Sequence, residues 1–323
     1  MRRRDFITLV GAAAAWPLAA RAQQFERMRR IGYLRAGPPP ERELGAFLRG
    51  LAGHGYVQGR NFVLVTQWGD GNVVRLQELA VALVNTGVDI IVTEGAVAVR
   101  ALHAVTATIP IVFTRAADPF AFGLVKNLSH PGGNITGFST LSVDIAGKAM
   151  EILKEMVPGL AKLATLAPRL VWDLFAAAEK EAAKTLAVDL AYIDMAGAEA
   201  ADAAMQQAIA AGVQGALLRG TPFFSSPQRK MIVESAAMHR LPVMYESREY
   251  VDQGGLVSYA TDAADLYRLA AGYVARILAG ANPGDLPIQQ PIKFELIINL
   301  KTAKTLGLTV PLTLQARADE VIE

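Results

Sequence analysis

The sequence predicts an α/β protein made of two similar lobes, each a parallel sheet flanked by helices. Three observations carry that reading. Short apolar runs alternate with helical patterns from Arg30 onward, the alternation comes in two successive blocks of ordinary domain length, and a tail beyond Gly254-Gly255 breaks the rhythm. Strands separated by helices of this length imply βαβ units lying side by side in parallel. Two such blocks imply two lobes. A chain of 323 residues with 52% hydrophobic content can bury two cores and is too apolar to remain disordered.

In the first block, Ile31 to Leu34 reads as a strand stopped by Gly37-Pro38-Pro39-Pro40. Glu41 to His54 follows as a helix, because Leu44, Phe47, Leu48 and Leu51 recur at spacings of three and four. Asn61 to Trp68 is a strand, Val73 to Asn85 a helix, Asp89 to Thr93 a strand, Val97 to Ala107 a helix, Ile109 to Thr114 a strand, and Asn134 to Phe138 completes the unit. The stretch Phe113 to Ser139 is the pivot of this block. A buried parallel strand ends at Asp118-Pro119, and the turn Pro131-Gly132-Gly133-Asn134 launches the next run. Ligands of open α/β sheets sit beyond the carboxyl ends of such strands, and proline holds the preceding residue out of helical geometry.

The second block repeats the pattern. Asp144 to Val157, Asp173 to Leu186, Glu199 to Ala211 and Pro227 to His239 read as helices, and Lys162 to Ala167, Val188 to Asp194, Val213 to Leu218 and Leu241 to Tyr245 as strands. Leu256 to Tyr259 is then a short strand and Asp262 to Ala279 a long helix capped by Thr261 or Asp262. Runs at Ile288 to Pro291 and Phe294 to Ile298 precede a last helix near Asn299 to Leu306. A tail that leaves the repeat can return to the first lobe and cross back, giving a hinge of several strands. Residues 29–138 with about 260–286 form the first lobe on this reading, and residues 139–259 with about 287–323 the second.

The chain has no cysteine, which excludes disulfides, thiolate metal sites and a cysteine nucleophile. Its formal charge of +2 rests on Arg2, Arg3, Arg4 and Arg21 at the amino terminus; without that segment acids and bases nearly balance, so the charge points to neither nucleic acid nor an anionic membrane. Met1 to Ala22 has a basic start, an apolar middle from Phe6 to Ala20 and the small-x-small sequence Ala20-Arg21-Ala22. That is the layout of a secretory leader cleaved after Ala22, with a twin-arginine character in Arg2 to Ile7. Its apolar part falls short of the roughly 20 residues needed to span a bilayer, and no later stretch qualifies, so the mature chain is expected not to span a membrane.

Ile109-Pro110-Ile111-Val112-Phe113, Asp118-Pro119, Gly123-Leu124-Val125 and Pro131-Gly132-Gly133-Asn134-Ile135-Thr136-Gly137 resemble the family of ABC transporter substrate-binding proteins with the type I periplasmic binding fold. So do His239-Arg240-Leu241-Pro242, Gly254-Gly255-Leu256 and Ile297-Ile298-Asn299-Leu300-Lys301, and the resemblance runs from about Arg29 to the end. It implies two Rossmann-like lobes joined by three hinge segments and closing on a small molecule, which is delivered to a permease in the inner membrane. The family commonly has an Asn-Pro pair after the strand that opens the second lobe. This chain reads Ala167-Pro168-Arg169-Leu170-Val171-Trp172 there, so Arg169 or Trp172 stands where those contacts would be.

If both sheets face one cleft, its contacts come from loops after strands. In the first lobe these are Gly37, Glu94 with Ala96 and Val97, and Ala117 with Asp118. Amides at the start of the helix after Gly95 suit an anion, whereas Glu94 suits an ammonium or an amide; Glu94 is either a contact or an exposed turn residue. Asp118 is either a ligand acceptor or a turn cap. In the second lobe Thr221, Phe223, Phe224, Tyr245, Glu246 and Arg248 follow strands. Aromatic rings can clamp a flat ligand and arginine can fork a carboxylate. One of Phe223 and Phe224 is expected in the core, and Arg248 can instead be solvated or pair with Glu246 or Glu249. Asp262 is a helix cap first and a pocket residue second.

His54, His103, His130 and His239 are too scattered for a zinc motif, and no phosphate loop, dinucleotide fingerprint or Gly-x-Ser-x-Gly appears. No metal, cofactor or catalytic residue is expected. The leading expectation is a periplasmic, solute-binding component of an ABC importer that binds an amino acid, an aromatic compound or another organic acid and has no nucleic-acid partner. The alternatives are an exported α/β enzyme and a ligand-sensing module for a membrane receptor.

Overall fold

The apolar runs assemble into two sheets. The computed structural model describes residues 27–116, 119–120, 123–140, 145–169, 172–219, 224, 226–290 and 292–323. The leader, Ala117, Asp118, Thr221 and Phe223 lie outside the described residues.

The first sheet contains β1 (Arg29–Arg35), β2 (Phe62–Trp68), β3 (Ile90–Glu94), β4 (Ile111–Ala116) and β5 (Ile135–Ser139) in the order β2-β1-β3-β4-β5, every neighbouring pair parallel. Alternation along the strands sorts the side chains onto two faces. Leu34, Ile91, Ile111, Phe113 and Ile135 pack under α2 (Leu76–Asn85) and α3 (Gly95–His103). Ile31, Tyr33, Ile90, Val92, Val112 and Phe138 pack under α1 (Glu41–Gly53) and a helix from far down the chain. The helix expected over 73–85 starts with a 3-10 turn at Val73–Arg75, where Asn72 Oδ1 accepts from the Val74 amide at 3.0 Å. The helix expected over 97–107 ends at His103, because Thr106 Oγ1 accepts from the amides of Thr108 and Ile109 and turns the chain toward β4.

The second sheet holds β6 (Lys162–Ala167), β7 (Asp189–Asp194), β8 (Gly215–Leu218), β9 (Val243–Tyr245), β10 (Val257–Thr261), β11 (Phe294–Asn299) and β12 (Glu320–Ile322), ordered β12-β11-β10-β9-β8-β6-β7. Only the β10–β11 pair is antiparallel among the described strands. Helices α4 (Ile145–Met156) and α5 (Trp172–Thr185) lie on one face, α6 (Ala201–Ala210) and α7 (Ser226–Met238) on the other, and α8 (Arg248–Val251) follows β9.

The tail then joins the halves. After β10 the chain returns to the first sheet as α9 (Ala263–Leu278), whose Leu266, Tyr267, Ala270, Ala271, Tyr273, Val274 and Ile277 complete the core over β1 and β3. Gly50 of α1 lets α9 approach: a Cβ there would lie 2.7 Å from that of Ala271. The run expected as a strand over 288–291 is instead an isolated bridge at Gln289 beside β5, where Gln289 donates to Gly137 O at 3.0 Å and accepts from Ser139 N at 2.9 Å. Flanking prolines, at 287 and 291, remove the donors a longer ladder needs. Beyond β11 come α10 (Leu300–Thr305), α11 (Leu312–Gln315) and β12, the last two absent from the sequence reading.

Candidate functional site

The strand register lines up three charges at the carboxyl edge of the first sheet. Leu34 pairs with Thr93 and Glu94 with Thr114, so Arg35, Glu94 and Arg115 come side by side on β1, β3 and β4. Arg35 Nε donates to Glu94 Oε2 at 2.6 Å, and Arg115 NH1 lies 3.2 Å from Oε1. Tyr267 of α9 donates its hydroxyl hydrogen to Oε2 at 3.0 Å, and Tyr33 donates to the Tyr267 oxygen at 2.6 Å. Arg115 reaches its place through a left-handed backbone, φ +53°, at a register shift between Phe113 and Ala116. Such a conformation costs a bulky residue on the order of 1–3 kcal/mol and persists where the surroundings hold it.

Glu94 is 3% exposed, so the exposed-turn reading falls. Burial pushes its pKa up, but Arg35 and Arg115 outweigh burial and hold the carboxyl below its ordinary range. The same carboxylate raises both guanidiniums against the downward pull of their own burial. Two cations around one anion leave this edge with one positive charge in excess.

The second half answers it. Glu249 of α8 and Glu43 of α1, from opposite halves, line a cavity of about 10 Å³ together with Arg115 and Ser247. Burial and the facing Glu249 raise the pKa of Glu43. Burial also pushes Glu249 up, but Arg115 and Ser247 outweigh it and bring the value to about 2. Beside this cavity opens a cleft of about 580 Å³ between the bend Pro38–Pro40 and the start of α1 on one side and Arg229, Arg248, Glu249 and Asp252 on the other. Charges of both signs from both halves line it, a surface suited to a small polar molecule.

The structure separates the residues read from the sequence. Gly37 is buried in the bend after β1, Ala96 is half-buried, and Val97 is exposed on the first turn of α3. Phe224 packs against the core of the second sheet and its carbonyl accepts from Arg229 at 2.6 Å. Tyr245 is in that core as well, 1% exposed and stacked on Tyr250 with centroids 4.9 Å apart; α8 folds back over the strand exit and covers it. Glu246 is half-buried. Arg248 pairs with Asp252 at 3.3 Å and Glu320 at 2.8 Å, in place of the expected Glu246 or Glu249. Asp262 caps α9, accepting from Asp265 N at 3.2 Å, and also binds Lys293 at 2.7 Å. Arg169 lies over the Trp172 ring at 5.6 Å, while Trp172 Nε1 donates to Ala167 O at 2.9 Å, so the two are engaged with each other and with β6.

Sequence reasoning missed Arg35, Glu43, Arg115 and Glu249. Glu43 had a signal: it precedes Phe47 by four residues and so borders the apolar stripe of α1. A second buried pair lies at the exit of β8. Arg219 Nε meets Glu179 Oε1 at 3.2 Å, and Thr165 and Tyr192 donate to Oε2 at 2.7 and 2.9 Å.

Comparison with known proteins accords with this architecture. A family model described as ABC transporter substrate binding protein matches residues 37–322, and the chain belongs to that family. A tyrosine-binding protein of Clostridioides difficile (strain R20291) is 25% identical over 281 residues, covering 86% of this chain and 80% of the relative. Among solved structures, a conserved domain protein of Vibrio cholerae is 26% identical with a TM-score of 0.82, covering 91% of this chain and all of the other. An ABC domain from Streptococcus pneumonia, in complex with L-Trp, is 23% identical with a TM-score of 0.83 over 91% of this chain and 100% of that one. The fold is that of the type I periplasmic binding proteins.

Proposed function

We propose that this chain is the periplasmic solute-binding component of an ABC importer and that its two lobes close by hinge motion around an amino acid. The observation that carries the reading is the cleft of about 580 Å³ between the halves, charged on both walls. A zwitterion presents an anion and a cation to one site, and this cleft carries both complements. Its volume lies within the few hundred to a thousand cubic ångströms usual for small-molecule sites. The names of two relatives, one tyrosine-binding and one in complex with L-Trp, favour an aromatic amino acid.

The moving bodies on this reading are residues 29–138 with about 260–286 and residues 139–259 with about 287–323, the chain crossing near those bounds, since Thr261 is still in β10 and Gln289 still bridges β5. Gly37, Ala96, Val97 and the loop of Ala117 and Asp118 face the ligand from the first. Thr221 and Phe223, with Glu246 and Arg248, are the residues assigned to it from the second. The first 22 residues act as the cleaved export leader, and the closed form is what a permease in the inner membrane receives. No helix among the described residues is long and apolar enough to cross a membrane.

Thermal unfolding with each of the twenty amino acids and a set of aromatic acids tests the reading. A ligand at a hundredfold excess over Kd stabilises by about 2.7 kcal/mol, a rise of several degrees in Tm. L-Tryptophan or L-tyrosine is expected among the compounds that give it. Silence from every amino acid and aromatic acid overturns the proposal.

A further inference from the structure

Arg35, Arg42, Arg229 and Arg248 line the cleft of about 580 Å³, and three of these cations are already neutralised. Arg35 is bound to Glu94, Arg42 to Glu295 and Asp262, and Arg248 to Asp252 and Glu320. Arg229 differs. It stands in the first turn of α7 and forms no ion pair among the described residues; the Phe224 carbonyl that it binds is neutral and leaves its charge uncancelled. Glu249 feels that charge, but its carboxylate is held by Ser247 and no ion pair joins it to Arg229.

The unused part of this guanidinium has a definite shape. Nη1 donates to Phe224 O at 2.6 Å, whereas Nε is buried and has no hydrogen-bond partner. Nε shares one edge of the planar group with Nη2, and two parallel N–H bonds on one edge match the two oxygens of a carboxylate. Buried donors are nearly always paired, so a donor left over in the wall of a cleft points to an acceptor that binds there. The amino end of α7 reinforces it, since Pro227 and Arg229 both line the cleft and a helix amino end carries a partial positive charge. Across the cleft, the start of α1 contributes the carboxylates of Glu41 and Glu43. We propose that Arg229 takes the α-carboxylate of the bound amino acid on its Nε–Nη2 edge and is thereby the residue that selects acids over their amides. The ammonium of the same molecule then faces the acidic wall of α1.

The inference rests on the amino-acid reading above, and its test keeps the two apart. Titration calorimetry compares each amino acid that binds with its own carboxamide, which keeps the ammonium and the side chain but has no negative charge. The first pairs are L-tryptophan with L-tryptophanamide and L-tyrosine with L-tyrosinamide. The unmodified protein is expected to prefer the acid by about tenfold to a hundredfold, the range for a hydrogen bond to a charged group. Arg229→Gln is expected to weaken the acid by that factor and leave the amide unchanged, which a merely structural loss would not do. Arg229→Lys, with the charge but not the fork, is expected to fall between. If Arg229→Gln binds the acid as before, or loses acid and amide alike, the inference is overturned and the amino-acid reading stands. An undiminished preference in Arg229→Lys overturns the forked contact in the same way. Failure of the unmodified protein to bind any of the twenty amino acids overturns both.

Discussion

Glu94 sits between the guanidiniums of buried Arg35 and half-buried Arg115, and what it does for stability follows from what its removal leaves behind. Glu94→Gln keeps the shape but sets Arg35 and Arg115 against each other with no anion between them. Breaking a buried pair by removing one partner costs about 3–5 kcal/mol, so the urea midpoint followed by circular dichroism is expected to fall accordingly. Glu179→Gln should do the same in the second half, where Arg219 is 2% exposed and would keep its charge unpaired. The pH dependence has a definite sign. The folded pKa of Glu94 lies below its unfolded value, so its contribution is complete above the ordinary carboxylate range and is lost as pH falls through the lowered value. The stability of Glu94→Gln is expected to fall less steeply in acid than that of the parent, and an unchanged acid slope would refute the pairing. Some of this scale was legible in the sequence. Asp262 precedes a long helical pattern and does cap it, because a cap is a local bond. The partners of Glu94 were not legible, because they come together only through the order β1-β3-β4, and Tyr245 read as a cleft aromatic because nothing local shows that Tyr250 folds back over it.

At the scale of elements, the strands were readable because parallel strands buried on both faces appear as continuous apolar runs. Lys162–Ala167 was read to the residue. Pairing was not readable: β11 lies antiparallel to β10, and β12, with the sequence Glu-Val-Ile, is too short and too polar to announce itself. Helix packing adds a prediction against local propensity. Alanine in place of a helical glycine ordinarily stabilises by about 1 kcal/mol. At Gly50 the new methyl would stand 2.7 Å from the Ala271 Cβ and 3.0 Å from Arg268 O. Gly50→Ala is therefore expected to destabilise by about 1–3 kcal/mol as an overpacked contact. The double variant Gly50→Ala, Ala271→Gly should lose less than the two single losses combined, which denaturation of the four proteins measures. Additive losses would mean that α1 and α9 do not meet there.

At the scale of the molecule, the two halves are not consecutive pieces of chain. Helix α9 covers one face of the first sheet with Leu266, Tyr267, Tyr273, Val274 and Ile277. Burying a large apolar side chain contributes about 1.5–3 kcal/mol, so five of them are comparable with the whole stability of an ordinary domain. A chain ending at residue 262 is expected to lose amide protection throughout β1 to β5, measured by hydrogen exchange with mass spectrometry. Retained protection would show that the first sheet stands without its returning helix. The twofold repeat was legible because each block carries its own periodicity. The return of α9 to the first sheet was only a possibility in the sequence, since an amphipathic stripe says that a helix is covered and not by which sheet.

That returning helix bears on how the protein is made. A ribosome must deliver most of the polypeptide before residues 263–278 exist, so the nascent amino-terminal half waits with an uncovered greasy face while the other half is synthesised. Ordering it requires contacts between residues more than two hundred positions apart, which slows folding.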